Sequence, residues 1–383
     1  MTRSGLSAQS SCLSQLSRLS AAFLFAALLA SGLISRPARA QEAGKPALRE
    51  TITVPGNPLT GFDISWVDPK THQLYLADRS NYSVDIFDTR TLKFVARVGG
   101  FVGNAPGGYD RGGPNGVAAI DSPHEVLAGD GNSTVKVIDL DATPPKIVAT
   151  IPTAGHGRAD ELSYDAADRL AMVANPDEKI PYISFIAIPS NKVVGKIDFP
   201  DATDGLEQSV WDSSRDLFYQ VVPELKHGDG AIAEIDPKTM KVTRMFPVRE
   251  CHGAGLTLGP GERLLIGCTR KQSVVIDAKT GKVVAATPNV TGSDEVWYNP
   301  GDNRYYLAAV RNPAGPVLGI IDAKTNRWVA NLATAYPAHS VAADPSNNRV
   351  FVPMGPNHTS FDTDPARNLD CSKGCIAVFS DKP

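Results

Sequence analysis

Seven polar residues recur along this sequence at intervals of 42–52 residues, and their side chains are of the kinds that hold metal ions or transfer protons. Four are carboxylates, two are imidazoles and one is an amide. Carboxylate and amide oxygens suit Ca²⁺ or Mg²⁺, whereas imidazole with carboxylate suits transition metals or acid–base catalysis. In chain order the seven are Asp63, Asn115, Asp160, Glu207, His252, Asp294 and His339.

The set divides into two arcs. The first four residues offer only oxygen, which favours Ca²⁺ or Mg²⁺, and the last three form a triad of two histidines and one carboxylate, which favours iron, manganese, zinc or copper. We expect a divalent metal to be held by Asp63, Asn115, Asp160, Glu207 and Asp294. His252 and His339 are the expected catalytic bases or partners of the ligands. The alternative is a water-filled channel whose polar strand ends bind water or cap turns.

These residues can meet because each stands at the opening of a repeated segment. That segment is a small-residue strand, a turn often built on Asp-Pro or Asn-Pro, and an apolar strand, as in DISWVDPKTHQLYLA and HSVAADPSNNRVFVP. A hairpin such as VVIDAKTGKVVAAT follows each copy, and its turn position recurs at intervals of 41–58 residues. Four short antiparallel strands, repeated seven times, predict an all-β, seven-bladed β-propeller.

In a propeller the innermost strands line the central channel, so the seven side chains are expected to converge at one end of it. The last repeat stops after its third strand, and residues 49–55, RETITVP, resemble a fourth strand. We therefore expect the N-terminal strand to complete the seventh blade and close the ring, which removes an open sheet edge. Residues 41–383 form one domain in this interpretation.

The hairpin copies and blade openings resemble the YVTN-type repeat of exported bacterial seven-bladed propellers. VVIDAKTGKVVAAT and HSVAADPSNNRVFV carry the resemblance, which extends over residues 47–383. It implies the fold strongly and the activity weakly, since that superfamily includes binding proteins, lactonases, a lyase and electron-transfer subunits, and fold does not fix function.

The similarity to propeller lactonases and to a propeller lyase suggests a metal-dependent hydrolase or lyase. Hydrolysis of a lactone or ester, or an elimination, would take place at the channel mouth, with the metal polarising a carbonyl. The alternative is a non-catalytic binding or scaffold propeller, or a subunit of a redox complex. That subunit would need a partner that carries the cofactor, because the chain contains no haem-attachment motif.

Loops on the same face carry cationic residues, which would suit a small anionic substrate beside an anionic centre. Several of these loops are long, and long loops without their own secondary structure are often lids or binding loops. The expected substrate-binding residues are Arg111, Arg158, His227, Arg270, Arg311 and His358. Ordinary solvated charge is the alternative for each.

The first forty residues have the pattern of a secretory signal peptide. An apolar run from Ala21 to Ile34 follows Arg3 and Arg18 and ends in a small-x-small site, Ala38–Ala40,. Fourteen apolar residues are too few to span a bilayer, which needs about 20. We therefore expect export to the periplasm or the cell exterior, with cleavage before Gln41.

Four cysteines remain after residue 40, which suits an oxidising compartment,. Cys251 and Cys268 flank a Gly-Pro-Gly turn nearly symmetrically, and Cys371 and Cys375 close a short loop. We predict the disulfides Cys251–Cys268 and Cys371–Cys375. A thiolate metal site is the alternative, although neither pair has the usual two-residue spacing.

Charge and missing motifs exclude several classes of function. The formal net charge is −3, and it becomes −7 without the four arginines of residues 1–40. An acidic protein lacks the basic stripe that nucleic-acid binding requires, and no segment after residue 40 is apolar enough to cross a membrane. The sequence also lacks a nucleophile elbow, a phosphate-binding glycine loop and a dinucleotide fingerprint. A small-molecule ligand is expected, and a protein partner is possible.

Overall fold

The fold is described here from a computed structural model, in residues 46–104, 111–356 and 369–381. The expected signal peptide, residues 105–110 and the predicted substrate-binding residue His358 lie outside those ranges. Within them, no helix is long and apolar enough to cross a bilayer. A single 3₁₀ turn, Arg79–Asn81, accompanies the strands of this part of the chain.

The described residues form seven antiparallel sheets of four strands each. In blades one to three, the strands follow chain order from the innermost strand to the outermost strand. Blade one comprises β2 (Ser65–Asp68), β3 (Gln73–Asp78), β4 (Ser83–Asp88) and β5 (Lys93–Gly99). Blade two comprises β6 (Val117–Ile120), β7 (Glu125–Asp130), β8 (Thr134–Asp139) and β9 (Lys146–Pro152). Blade three comprises β10 (Leu162–Asp165), β11 (Leu170–Asn175), β12 (Tyr182–Ala187) and β13 (Lys192–Asp198).

Blades four to six repeat the same order. Blade four comprises β14 (Ser209–Asp212), β15 (Leu217–Val222), β16 (Gly230–Asp236) and β17 (Lys241–Val248). Blade five comprises β18 (Gly253–Gly259), β19 (Arg263–Cys268), β20 (Ser273–Asp277) and β21 (Val283–Thr287). Blade six comprises β22 (Val296–Asn299), β23 (Arg304–Ala309), β24 (Val317–Asp322) and β25 (Arg327–Ala333).

Blade seven joins the two ends of the described chain. It comprises β26 (Ala342–Asp344), β27 (Arg349–Met354), β28 (Cys375–Ser380) and, outermost, β1 (Ala47–Thr53). In register, Ala47 faces Ser380 and Thr53 faces Cys375. The innermost strands β2, β6, β10, β14, β18, β22 and β26 contact one another in this order, and β26 contacts β2. The prediction of a propeller closed by the N-terminal strand is therefore confirmed.

The hydrophobic cores lie between neighbouring blades, because each twisted sheet buries both faces against its neighbours. Between blades seven and one, for example, Phe351 and Val378 pack with Leu74, Leu76 and Phe87. The β-branched and aromatic residues of the repeat supply these cores, as such residues fit a pleated and buried surface.

The carboxylates of the repeated turns are structural. Asp68 Oδ1 accepts a hydrogen bond from the Lys70 amide at 2.9 Å, and Asp277 Oδ1 accepts one from the Thr280 amide at 2.9 Å. These bonds hold the turns in which the two aspartates lie. The channel residues therefore remain as the candidates for function.

Candidate functional site at the channel mouth

The predicted ring residues lie immediately before the innermost strands, at the end of the channel where those strands begin. Their backbone amides continue the ladder with the second strand of the blade: Asp63 donates to Ala77, Asp160 to Ala174 and Asp294 to Ala308, at 2.9–3.0 Å. The ladder therefore places these three residues at the same height, which is why side chains far apart in sequence meet.

A cavity of about 480 Å³ opens between these strands, and we call it the mouth cavity. Of the ring residues, those that line it are Asp63, Asp160, Glu207, His252 and Asp294. A neighbouring cavity of about 360 Å³ contains His339 and shares Asp294 and Arg311 with the mouth cavity. Asn115 is fully buried and lines neither of these two cavities.

Arg79, which the sequence analysis did not single out, is a buried cation at this end of the channel. Its Nη2 donates to Asp63 Oδ2 and to Asn115 Oδ1, and its Nε donates to the Pro114 carbonyl at 3.3 Å. Asn115 also donates to the Ala159 carbonyl at 2.9 Å. Arg79 therefore connects the openings of blades one and two and neutralises Asp63.

His339 lies on the other side of Asp63. Its Nδ1 donates to the Pro337 carbonyl at 2.6 Å, its Nε2 lies 3.4 Å from Asp63 Oδ1, and its ring stacks on Phe62 at 4.8 Å. Burial lowers the pKa of His339, but the hydrogen bond and charge of Asp63 outweigh it, so the net pKa is raised. Asp63 therefore favours the protonated form of the His339 imidazole.

The carboxylate at the opening of blade three, Asp160, forms an ion pair with Arg158. Arg158 Nε lies 2.8 Å from Asp160 Oδ2 and 3.0 Å from Asp177 Oδ2, and the Arg158 side chain is only 11% exposed. Arg158 was predicted as a rim residue for substrate. It lies deeper, as a lining residue of the mouth cavity that shares its charge between two carboxylates.

The carboxyl groups of the mouth differ widely in acidity. Burial raises the pKa of Asp63, but Arg79 and His339 outweigh it and hold that pKa at about 2. Burial raises the pKa of Asp160 to about 7, because Arg158 compensates only in part and the charge of Asp63 adds to the rise. Desolvation and the charges of Asp294 and Asp160 raise the pKa of Glu207 well above its usual range. One strong acid and one group that titrates near neutrality therefore share the same opening.

His252 lies at the opening of blade five and lines the mouth cavity. Its backbone adopts the left-handed conformation, with φ of 49°. Its Nδ1 lies 2.9 Å from Thr269 Oγ1, and its Nε2 lies 2.7 Å from Asp204 Oδ2. Thr269 Oγ1 donates to the His252 carbonyl at 3.1 Å, so the same oxygen accepts from Nδ1. Both ring nitrogens are thus engaged by protein groups.

The disulfide next to His252 fixes this approach. Cys251 is bonded to Cys268, and the two Cα atoms are 4.9 Å apart. Cys371 is bonded to Cys375 at the same Cα separation. Both predicted disulfides are confirmed, and all four sulfur atoms take part in them.

The donor atoms of the predicted metal site do not point at a common centre. Asp63 is paired with Arg79 and His339, Asp160 is paired with Arg158, and both nitrogens of His252 are occupied. Among the described residues, no group of three or more His, Cys, Asp or Glu side chains is arranged to hold a metal ion. The metal therefore stays a prediction from the sequence.

The predicted rim residues separate into two groups. Arg270 and Arg311 line the mouth cavity with half-exposed side chains, and Arg311 Nη1 lies 3.9 Å from Asp294 Oδ2. Arg111 and His227 are exposed and are not among the residues that line it. His358 lies outside the described ranges.

Sequence analysis missed two further features of the mouth. Glu161 follows the ring residue Asp160 and would face the other way in a regular strand, yet it lines the mouth cavity and is only 8% exposed. Glu161 precedes β10, so the alternation of side-chain directions along a regular strand does not apply to it,. The position of Arg79 had a usable signal, since it directly follows the second strand of its blade, which ends at the mouth.

Comparison with known proteins supports the fold and leaves the activity open. No family model matches the sequence, and no curated protein matches it. Among solved structures, a chain of the Kuenenia stuttgartiensis hydrazine synthase is similar, with a TM-score of 0.66 and 14% sequence identity. The match covers 85% of this chain and 97% of that chain. At this identity the likeness shows the propeller fold alone, and the YVTN-type assignment stays a prediction.

Proposed function

We propose that the mouth cavity binds a small polar molecule and catalyses a proton-transfer reaction on it, either hydrolysis of a lactone or ester or an elimination. The observation that carries this proposal is the pair Asp63 and Asp160, whose pKa values of about 2 and about 7 are driven apart by their surroundings. Surroundings that keep Asp63 ionised and place the pKa of Asp160 near neutrality leave Asp160 able to take up and release a proton in this site.

Asp160 is the proposed proton carrier. Near neutral pH both of its forms are populated, so its carboxylate can take a proton from an attacking water, and the resulting acid can protonate the leaving alkoxide. In an elimination, the same carboxylate would take the proton next to a carbonyl while the bond to the leaving oxygen breaks.

Fixed positive charge in the cavity supports the same reaction. The guanidinium of Arg158 touches Asp160, and that of Arg311 lies at the cavity wall beside Asp294. Preorganised cations at a developing oxyanion are often the largest contribution to catalysis. Asp63 stays ionised and holds Arg79 and His339 in place, which makes it a positioning residue.

Turnover on a panel of lactones, aryl esters and β-elimination substrates tests the proposal. Asp160→Asn should abolish turnover that the wild-type protein shows, whether or not a chelator is present. Asp302→Asn is the matched control, because Asp302 is also a buried carboxyl with a raised pKa but lies in the turn between β22 and β23, at the other end of the channel. Equal losses in both variants, or full activity in Asp160→Asn, would contradict the assignment.

A non-catalytic role is the second candidate, and the similarity to a hydrazine synthase chain favours it. In this case the propeller would serve as a binding scaffold or as a subunit of a redox complex whose cofactor resides in a partner. The disulfides suit an exported protein, as both candidates require,. No turnover of any substrate in the panel, together with co-purification of a stable partner from the native source, would favour this second role.

A further inference from the structure

Positive charge is concentrated at the end of the propeller opposite the mouth, where blade seven meets blade one. A cavity of about 360 Å³ opens there, and we call it the seam cavity. Three arginines line it, namely Arg49 of β1, Arg90 of the turn between β4 and β5, and Arg349 of β27. Glu50 is the one acid among the described residues of this wall, and it is exposed. Three arginines against one glutamate leave a formal excess of two positive charges.

The repeat shows how the same arginine is neutralised in other blades. An arginine begins the second strand of blades five, six and seven, as Arg263, Arg304 and Arg349. Arg263 forms an ion pair with Asp277, which faces it on the neighbouring strand. Arg304 Nη1 lies 2.9 Å from Oδ1 of Asp381, which directly follows the third strand of the next blade. Blades five and six thus supply a carboxylate from two different positions.

Blade seven lacks a carboxylate at both of these positions. Its third strand ends in Ser380 where that of blade five ends in Asp277, and the register of β27 and β28 places this serine opposite Arg349. The residue that follows the third strand of the next blade, blade one, is Thr89, which corresponds to Asp381. The arginine of blade seven is therefore left without the counter-charge that its two equivalents have.

Carbonyl oxygens take the place of that carboxylate at Arg349. Its Nη1 donates to the carbonyls of Thr89 at 2.9 Å and Arg90 at 2.6 Å, whereas Nε and Nη2 bond to none of the described residues. Arg90 has only a distant partner, since its Nη2 lies 3.7 Å from Asp88 Oδ2 and its side chain is 60% exposed.

Arg49 is held by carbonyl oxygens as well. Its Nε donates to the carbonyl of Ser380 at 3.2 Å and its Nη2 to that of Asp381 at 3.4 Å, and it forms no ion pair with a described residue. Carbonyl contacts fix the direction of a guanidinium without neutralising it. A guanidinium fixed in this way presents a planar fork of donors that matches the oxygens of a phosphate or carboxylate.

We propose that the seam cavity binds a phosphate group, which supplies the negative charge that blade seven lacks. A phosphate carries about two negative charges at neutral pH, and these match the excess positive charge of the wall. Its several acceptor oxygens can bond to the forks of Arg49 and Arg349 together. The same contacts serve free phosphate and the phosphate ester of a small molecule.

Calorimetric titration of the full-length protein with inorganic phosphate tests the proposal, with sodium chloride holding the ionic strength at about 0.15 M. Saturable binding with a Kd below about 1 mM is expected. A parallel titration with glycerol 3-phosphate separates the two sources, because tighter binding than that of phosphate would identify an ester and equal or weaker binding the free ion. No saturable heat with either compound up to about 10 mM would overturn the proposal.

Variants of the chain locate the binding. Ser380→Asp restores the carboxylate that Asp277 provides in blade five, so it should neutralise Arg349 and weaken phosphate binding by roughly tenfold or more. Arg49→Gln and Arg349→Gln should weaken binding by a similar factor, and their circular dichroism would show that the variants are folded. The control Arg327→Gln removes an exposed arginine of β25 that does not line the seam cavity, and it should leave the affinity unchanged.

Unchanged phosphate affinity in Arg49→Gln and Arg349→Gln would overturn the proposal, because the phosphate would then bind elsewhere, as at the arginines of the mouth. An equal loss in Arg327→Gln would overturn it as well, since the binding would then follow the total charge of the protein. If Ser380→Asp does not fold, the two seam arginine variants decide the question by themselves.

Discussion

Replacing Asp160 with asparagine is expected to stabilise the protein at alkaline pH, by an amount that shrinks as the pH falls. Asp160 is 5% exposed, and its pKa is about 7 in the folded protein against 3.8 when unperturbed. Because the folded pKa is the higher one, the stability linked to this group is fully present below pH 3.8 and is lost as the pH rises to about 7. The asparagine side chain does not ionise, so the variant does not lose this stability as the pH rises.

The size of the effect follows from the two pKa values. The difference between about 7 and 3.8, at 1.36 kcal/mol per pKa unit, corresponds to about 4 kcal/mol over the whole window,. The same linkage places about 2.5 kcal/mol of this change between pH 5 and pH 8.5. The free energy of unfolding of Asp160→Asn, relative to the wild type, should therefore increase by that amount across this range.

Urea denaturation of both proteins at pH 5 and pH 8.5 measures this difference. Asp63→Asn is the control with the opposite sign, because its pKa of about 2 keeps the carboxylate charged throughout the range, so its loss should destabilise the protein at both pH values, and more at pH 5, where the attraction between Asp63 and His339 is stronger,. A pH-independent difference for Asp160→Asn would refute the argument that burial holds a proton on Asp160.

Three further predictions concern residues that stabilise the mouth. Arg79→Met should lower the free energy of unfolding by about 3–5 kcal/mol, since it leaves Asp63 buried without its cation, and Asp63→Asn in the same chain should recover part of that loss in a denaturation cycle. Stability provided by His339 should be present below pH 6.5 and fade as the pH rises through its raised pKa, so His339→Gln should cost more at pH 6 than at pH 9 in the same assay,. Loss of the Cys251–Cys268 disulfide in a double alanine variant should cost about 3 kcal/mol in thermal or urea unfolding, because a loop of this length is no longer closed.

Much of the fold could be predicted because it repeats. Seven copies of one strand pattern gave the number of blades, and the resemblance of residues 49–55 to an outer strand predicted that β1 would pair with β28. The disulfides could also be predicted, since the cysteine spacing places each pair at the ends of a short turn or hairpin. These conclusions depend on local patterns that the backbone follows regardless of the distant environment.

The candidate site was harder to predict, because its properties depend on which side chains become neighbours. Five of the seven ring residues line the mouth cavity, but counting along the strands could not show that Arg79 would pair with Asp63 or Arg158 with Asp160. Nor could it show that Glu161, just outside the regular strand, would turn into the channel. Alternation of side chains holds only where the strand is regular.

The most direct test of the mouth as a proton-transfer site is a titration of its aspartates by carbon-detected NMR. Carboxyl signals of ¹³C-labelled aspartate would be assigned by their loss in Asp160→Asn and Asp63→Asn. Asp160 should titrate with a midpoint near 7, and Asp63 should stay ionised down to about pH 2. A midpoint for Asp160 close to the ordinary 3.8 would contradict the assignment of Asp160 as the proton carrier, because Asp160 could then not exchange protons near neutral pH.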